Sequence, residues 1–303
     1  MGELDDKIVQ AQEAELRAFA DKRASRFIAY IEQARKDILA EIQDLADTTT
    51  GDQPVSRTRL VRLLGRLDEI KKEASQNILS VGPSDEYIAK LTKAHMEANL
   101  LEVAGKAITL TLDDINPRLL SLFAQNELEK VASMTEQQIS VIKSALIRDV
   151  GAKGLNPRAI AKNLAGNESG LFTGMYGRLQ TIVRTESATV YNEQIVESIK
   201  VSISQGAELR MKISEHPDDS RNHPISQVIN NQVREVGEPF RAKVSDVKRA
   251  ATRLAAASKR KPSKSLGRSI FWPEINGYYV GRNLPAHYNE RGRIVPTQNE
   301  VTP

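Results

Sequence analysis

Arg178-Leu179-Gln180-Thr181-Ile182-Val183-Arg184-Thr185-Glu186-Ser187-Ala188-Thr189-Val190-Tyr191-Asn192 is the stretch on which the reading of the fold turns. At about 100° per residue it is a helix with polar residues on every side. Leu179, Val183, Glu186 and Val190 share one stripe, and Arg178, Ile182, Thr185, Thr189, Asn192 and Val196 share a second. One apolar row therefore contains a carboxylate, and the other a threonine and an amide. An unpaired buried carboxylate would cost several kcal/mol, roughly, even after relaxation. Glu186 thus predicts a donor supplied from elsewhere in the fold. The helix reads either as an active-site or ligand-binding element or as a buried polar network that fixes how a domain packs.

Upstream, residues 3 to 47 carry Phe27, Ile28, Ile31, Ala34, Ile38, Ile42 and Leu45 at steps of three and four, with charges on the other faces, which predicts one long helix. Thr48 to Pro54 ends it. A second helix is expected from Ser56 to Leu79, on Leu60, Leu63, Leu64, Leu67, Ile70 and Ala74. A third is expected from Asp85 to Ile108, with Ser84 as its N-cap. Long helices on short linkers form an antiparallel bundle or a coiled-coil stalk. Docking of the first helix on another subunit, including a second copy of the chain, stands beside intramolecular packing. Pro117 opens a shorter helix to Met134, and Thr135 reads as the start of another ending at Gly151. Pro157 opens a short helix to Leu164, and a glycine-rich loop leads to the central helix over Tyr176–Ser204.

Downstream the texture changes. Glu208 to Ile213 alternates polar and apolar as a half-buried strand does. Ser245 to Ala257 is a basic, alanine-rich helix, and strand-like pieces occur at Tyr278–Val280 and Arg293–Val295. The fold class is α+β, mostly α: a long-helix N-terminal bundle or coiled coil followed by a smaller α+β C-terminal domain. The linkers divide the chain into an elongated helical domain (1–110), a helical connector (111–170) and an α+β domain (171–303).

The 303 residues are 40% hydrophobic, 27% charged and only 5% aromatic, a palette suited to helix-on-helix packing. There is no cysteine, which excludes disulfides and thiolate ligands and leaves His and carboxylates for any metal. No run of about 18 apolar residues suggests a membrane span, and the acidic start is unlike a signal peptide, so the chain is expected in a reducing cytosol unless carried out. Net charge is +4, but ten bases against Asp246 alone lie within 241–268. The remainder is therefore net acidic. Lys248, Arg249, Arg253, Lys259, Arg260, Lys261, Lys264 and Arg268 of that segment suit the phosphate backbone of double-stranded DNA, without the aromatic interleaving that reads bases. A solvated face or an acidic protein partner is the alternative.

His216, His223 and His287 lie late and, with Asp218 or Asp219, would supply a hard metal site able to activate water, with Glu186 as base. That is the enzymatic alternative, a metal-dependent hydrolase using Glu186, Asp219, His223 and His287. The plainer reading has these histidines as turn residues, with no metal, no cofactor and no catalytic residue. No Gly-x-Ser-x-Gly elbow is present. A generic helical scaffold is a third reading.

Three segments in order carry a resemblance: Arg178 with Arg184-Thr185-Glu186 and Tyr191-Asn192; Asp218-Asp219-Ser220-Arg221-Asn222-His223 after a strand; and His287-Tyr288-Asn289-Glu290-Arg291-Gly292-Arg293-Ile294-Val295-Pro296. Together with Gly154 to Leu164 they resemble the phage Mu protein F-like head morphogenesis family, the minor capsid proteins beside the portal of tailed phages. The likeness covers about residues 135 to 296. Where that family often has two cysteines this chain has Glu290 and Gly292, and Tyr288 stands in place of a proline. The resemblance implies a low-copy head protein of the capsid interior, passing through the host cytoplasm during assembly. Its partners would be the portal protein, the major capsid or scaffolding protein, and DNA. It also implies that Arg178, Arg184, Thr185, Glu186, Asn192, Asp219, Arg221, His223, His287, Asn289 and Arg291 form a polar core tying strand, turn and C-terminus to the central helix.

Overall fold

The computed structural model describes residues 6–48, 55–82, 85–104, 117–154, 156–157, 161, 173–214, 223–257, 270, 272–281 and 293–301. The helices are α1 (Asp6–Asp47), α2 (Arg57–Ser80), α3 (Asp85–Ala104), α4 (Pro117–Ala145), which continues into a π-helical turn (Leu146–Ala152), α5 (Thr173–Ser204), α6 (Pro224–Ile229) and α7 (Val244–Ala257). The strands are β1 (Arg210–Ser214), β2 (Val233–Arg234), β3 (Phe240–Lys243), β4 (Glu274–Ile275), β5 (Tyr278–Gly281) and β6 (Arg293–Thr297). The protein is α+β and mostly helical, with long helices first and small sheets last. Among the described residues no helix is long and apolar enough to cross a membrane.

Packing divides the chain into two compact units, Met1–Ala20 with Ser84–Ala124 and Arg184–Pro303, and Asp21–Pro83 with Gln125–Val183. The units interleave in sequence, so they do not coincide with the linker-bounded segments 1–110, 111–170 and 171–303.

The second unit is helical. Phe27, Ile31, Ile38 and Ile42 of α1 are at most 1% exposed, as the periodicity predicts, and Leu67 and Ile78 of α2 and Val131, Ile139 and Ile142 of α4 are equally buried. The apolar row of α1 from Phe27 to Leu45 is thus covered within one chain. Ser56 caps α2, accepting from the Arg59 amide. The break expected at Thr135 does not occur. Thr135 is buried inside α4, and its hydroxyl donates to the Val131 carbonyl at 2.9 Å, so the side chain that reads as a cap bonds back into its own helix. The helix expected over 157–164 lies for the most part outside the described residues.

Among the described residues of this unit one ion pair is buried. Arg23 Nε donates to Glu127 Oε2 at 2.7 Å, with side-chain exposures of 7% and 3%, and Arg23 Nη2 donates to the Gly82 carbonyl at 2.9 Å. The guanidinium also lies 5.2 Å from the centre of the Phe27 ring.

The first unit holds both sheets. β2-β1-β6 is antiparallel, with Arg210 opposite Thr297 and Ser214 opposite Arg293. β3-β5-β4 is also antiparallel. Asn276 and Gly277, with φ of 51° and 79°, make the tight turn between β4 and β5 in the left-handed geometry that two-residue hairpins use. Gly281 permits a close approach, since a Cβ there would lie 2.2 Å from Trp272. Tyr191, Ile195, Ile199, Met211, Ile213, Ile225, Phe240, Val247, Trp272 and Ile294 form one continuous core.

Removing one member of the buried pair leaves the other charge uncompensated. Arg23→Met is expected to lower unfolding stability by about 3–5 kcal/mol, and Arg23→Met with Glu127→Leu to recover much of that loss. Urea denaturation of the three proteins checks this; a double variant less stable than the single would contradict it.

Candidate functional site

From Thr185 to Ile199 α5 is buried on almost every side, which explains why its polar residues do not segregate to one face. Thr185, Glu186 and Asn192 are 4%, 9% and 0% exposed. None of Arg184, Thr185 and Glu186 is without a partner. Asn192 uses both ends of its amide. Nδ2 donates to the Ala188 carbonyl at 2.9 Å, and Oδ1 accepts from the Ile294 amide at 2.9 Å.

That second bond falls where β6 needs it. Among the described residues β6 pairs only with β1 and is an edge strand, yet all five of its residues are buried. In an antiparallel strand, amides two residues apart point the same way. Ile294 and Pro296 therefore share the unpaired side. Asn192 satisfies the first and proline has no N–H to satisfy, so β6 offers no free outward amide to another strand.

A second polar group meets the same turn of α5. Tyr191 is 1% exposed, and its hydroxyl lies 2.8 Å from His95 Nδ1 on α3. His95 Nε2 is 3.2 Å from Glu15 Oε2 on α1, and the Arg293 guanidinium of β6 sits 5.6 Å from the centre of the Tyr191 ring. With a carboxylate as its only complementary partner, Nε2 carries the proton and donates to Glu15, and Nδ1 accepts from the tyrosine O–H. Burial lowers the His95 pKa; Glu15 opposes this and Arg293 adds to it. Burial also raises the Tyr191 pKa, so the phenol stays protonated. Close by, Gln12 Nε2 donates to Asn99 Oδ1 at 2.9 Å. Sequence reasoning missed this seam. Its signal is the kind that singled out Glu186: Thr92, His95 and Asn99 recur at helical spacing on α3, as Gln12 and Glu15 do on α1.

Other expected residues fall elsewhere. Arg178 is exposed and forms no ion pair with another described residue; around it only Met175 and Leu179 of α5 turn inward, so its guanidinium is left to solvent. His223 caps α6, with Nδ1 accepting from the Ile225 amide at 3.3 Å. Asp219, Arg221, His287, Asn289 and Arg291 lie outside the described residues, as do His216 and Asp218. Among the described residues no three His, Asp or Glu side chains gather as metal ligands.

No protein-family model, no curated protein and no solved structure matches the chain.

The basic segment begins on β3 and α7. Val247, Ala250 and Ala251 face the core, and Lys248, Arg249, Thr252 and Arg253 are exposed. Arg249 pairs with Asp246, holding that carboxyl below its usual range. Lys248 and Arg253 pair with no other described residue and line an open groove of about 780 Å³ with Gln227 and Val228 of α6. Lys259, Arg260, Lys261, Lys264 and Arg268 are outside the described residues.

The buried imidazole makes a prediction about pH. Above pH 6.5, the free histidine value, folded and unfolded states both hold it neutral. As pH falls through 6.5 the unfolded state binds a proton that the folded state refuses, so stability falls until the lower folded pKa is reached. Subtracting the stability profile of His95→Gln from that of the wild type, measured from pH 8 to 5 (about that span), should leave a decline starting near 6.5. A flat difference would contradict the neutral, buried assignment.

Proposed function

We propose that this chain is a minor head protein of a tailed phage, a low-copy component of the capsid interior near the portal that acts by binding and not by catalysis. Its partners are the portal protein, the major capsid or scaffolding protein, and the backbone of packaged DNA. It passes through the host cytoplasm during assembly.

The observation that carries the reading is the Asn192–Ile294 bond. Asn192 ends the first segment of the resemblance and Ile294 belongs to the third, and 102 residues of sequence separate them. The second segment follows β1, which pairs along its length with β6. Two described residues from segments that would be unrelated in an accidental match thus meet within one packed unit, and the Asn192 amide serves that packing. Exposed Lys248 and Arg253 support the DNA contact through charge alone, which makes it dependent on salt.

Quantitative mass spectrometry of purified DNA-filled particles from the source phage or prophage tests this. The chain is expected at a few copies per portal, and Lys248→Glu with Arg253→Glu is expected to lower duplex DNA affinity at low salt and flatten its salt dependence. Its absence from particles and from their assembly intermediates would overturn the proposal.

A further inference from the structure

The outer face of the sheet β3-β5-β4 combines two chemistries that the sequence keeps apart. β3 alternates, with Phe240 and Ala242 in the core and Arg241 and Lys243 exposed. The register sets Lys243 opposite Tyr278, and Tyr278 opposite Ile275 on its other side, so these three form one cross-strand row. Arg241 opposite Val280 forms the next. Directly opposed residues of an antiparallel pair share a face. Tyr279, Gly281 and Glu274 fall on the reverse side, so the nearest carboxylate of the sheet points away from the row.

The surface is apolar at its middle and cationic along one border. Tyr278 is 39% and Ile275 50% exposed, although both stand in regular strands. Arg241 and Lys243 form no ion pair with another described residue; Lys243 leads straight into the basic helix α7, whose Asp246 carboxylate, paired with Arg249, it helps hold below the usual carboxylate range. The platform is held firmly from behind. Trp272 packs under Gly281 and stacks near Phe240, with ring centres 6.5 Å apart. The Val244 amide donates to the Gly277 carbonyl at 2.9 Å, and Gln232 holds the Arg241 backbone, donating to its carbonyl at 2.7 Å.

We propose that this face binds single-stranded nucleic acid, with a base stacked on Tyr278 against Ile275 and the adjoining phosphates on Arg241 and Lys243. The charge selects a polyanion. The flat aromatic and aliphatic row beside it selects one whose bases are unstacked and free to lie on a π face, which a duplex does not offer. An acidic protein segment would meet the cations but leave the Tyr278–Ile275 row without a partner. The site extends the nucleic-acid contact of the proposed function, but it does not require that the chain belong to a virion.

Fluorescence anisotropy of the full chain at low salt tests it, using labelled oligothymidine of about 15 nucleotides, an abasic strand of the same length and a duplex. Oligothymidine is expected to bind about tenfold more tightly than the abasic strand. Tyr278→Ala should abolish that ratio without changing abasic binding, and Tyr278→Phe should preserve it. Lys248→Glu with Arg253→Glu should weaken all three ligands and leave the ratio intact. Equal affinity for base-bearing and abasic strands, an unchanged ratio in Tyr278→Ala, or displacement by polyglutamate as readily as by oligothymidine would overturn the platform. Equal affinities in a chain found in particles would refute the platform alone; a base-dependent ratio in a chain absent from particles would refute only the virion role.

Discussion

The hydrogen bond from the Ile294 amide to the Asn192 side chain is the constraint on which the sheet-bearing unit depends. A short edge strand with every residue buried has no water to satisfy its outward amides. The sequence meets this with one proline and one asparagine, on elements far apart in the chain. α5 accordingly cannot be amphipathic in the ordinary sense. It must offer apolar surface to Ile213 and Leu209, an amide to β6 and a phenol to His95, from neighbouring positions on one turn.

Polar residues are used in two opposite ways. Where they are buried, as in Arg23–Glu127 and in His95–Tyr191 with the exposed Glu15 at its outer end, each has a partner from a distant segment, and the geometry specifies which segments meet. Where they are exposed on β3 and α7, positive charge collects with little opposing charge, and a surface suited to anions results. The first use explains how this long-range topology is specified, and the second supplies the surface for partners.

Much of this was legible in the sequence because it is periodic. The rows of α1 and α2, the extent of α5, the strand at β1 and the basic helix α7 all follow from spacing at 3.6 or 2 residues. Thr135 misled because a threonine before acidic and amide residues resembles a cap whether or not the helix has already begun. β5 was legible as a strand-like piece at Tyr278–Val280, but its partners β3 and β4 were not read, although Asn276-Gly277 between short β-prone pieces is a strong hairpin signal; with them went the neighbourhood of Tyr278, Arg241 and Lys243, which only strand register brings together. Asn192 was legible as a polar group needing a partner. That the partner would be a backbone amide at Ile294 was not, since an edge amide has no signature of its own in sequence.

Hydrogen exchange of the Ile294 amide in the wild type and in Asn192→Ala tests the central claim most directly. If the side chain closes the β6 edge, removing it should speed exchange at Ile294 by about tenfold or more, corresponding to a loss of about 1–3 kcal/mol, while the paired amides of β1 keep their relative protection. An Ile294 amide equally protected in both proteins would contradict the account.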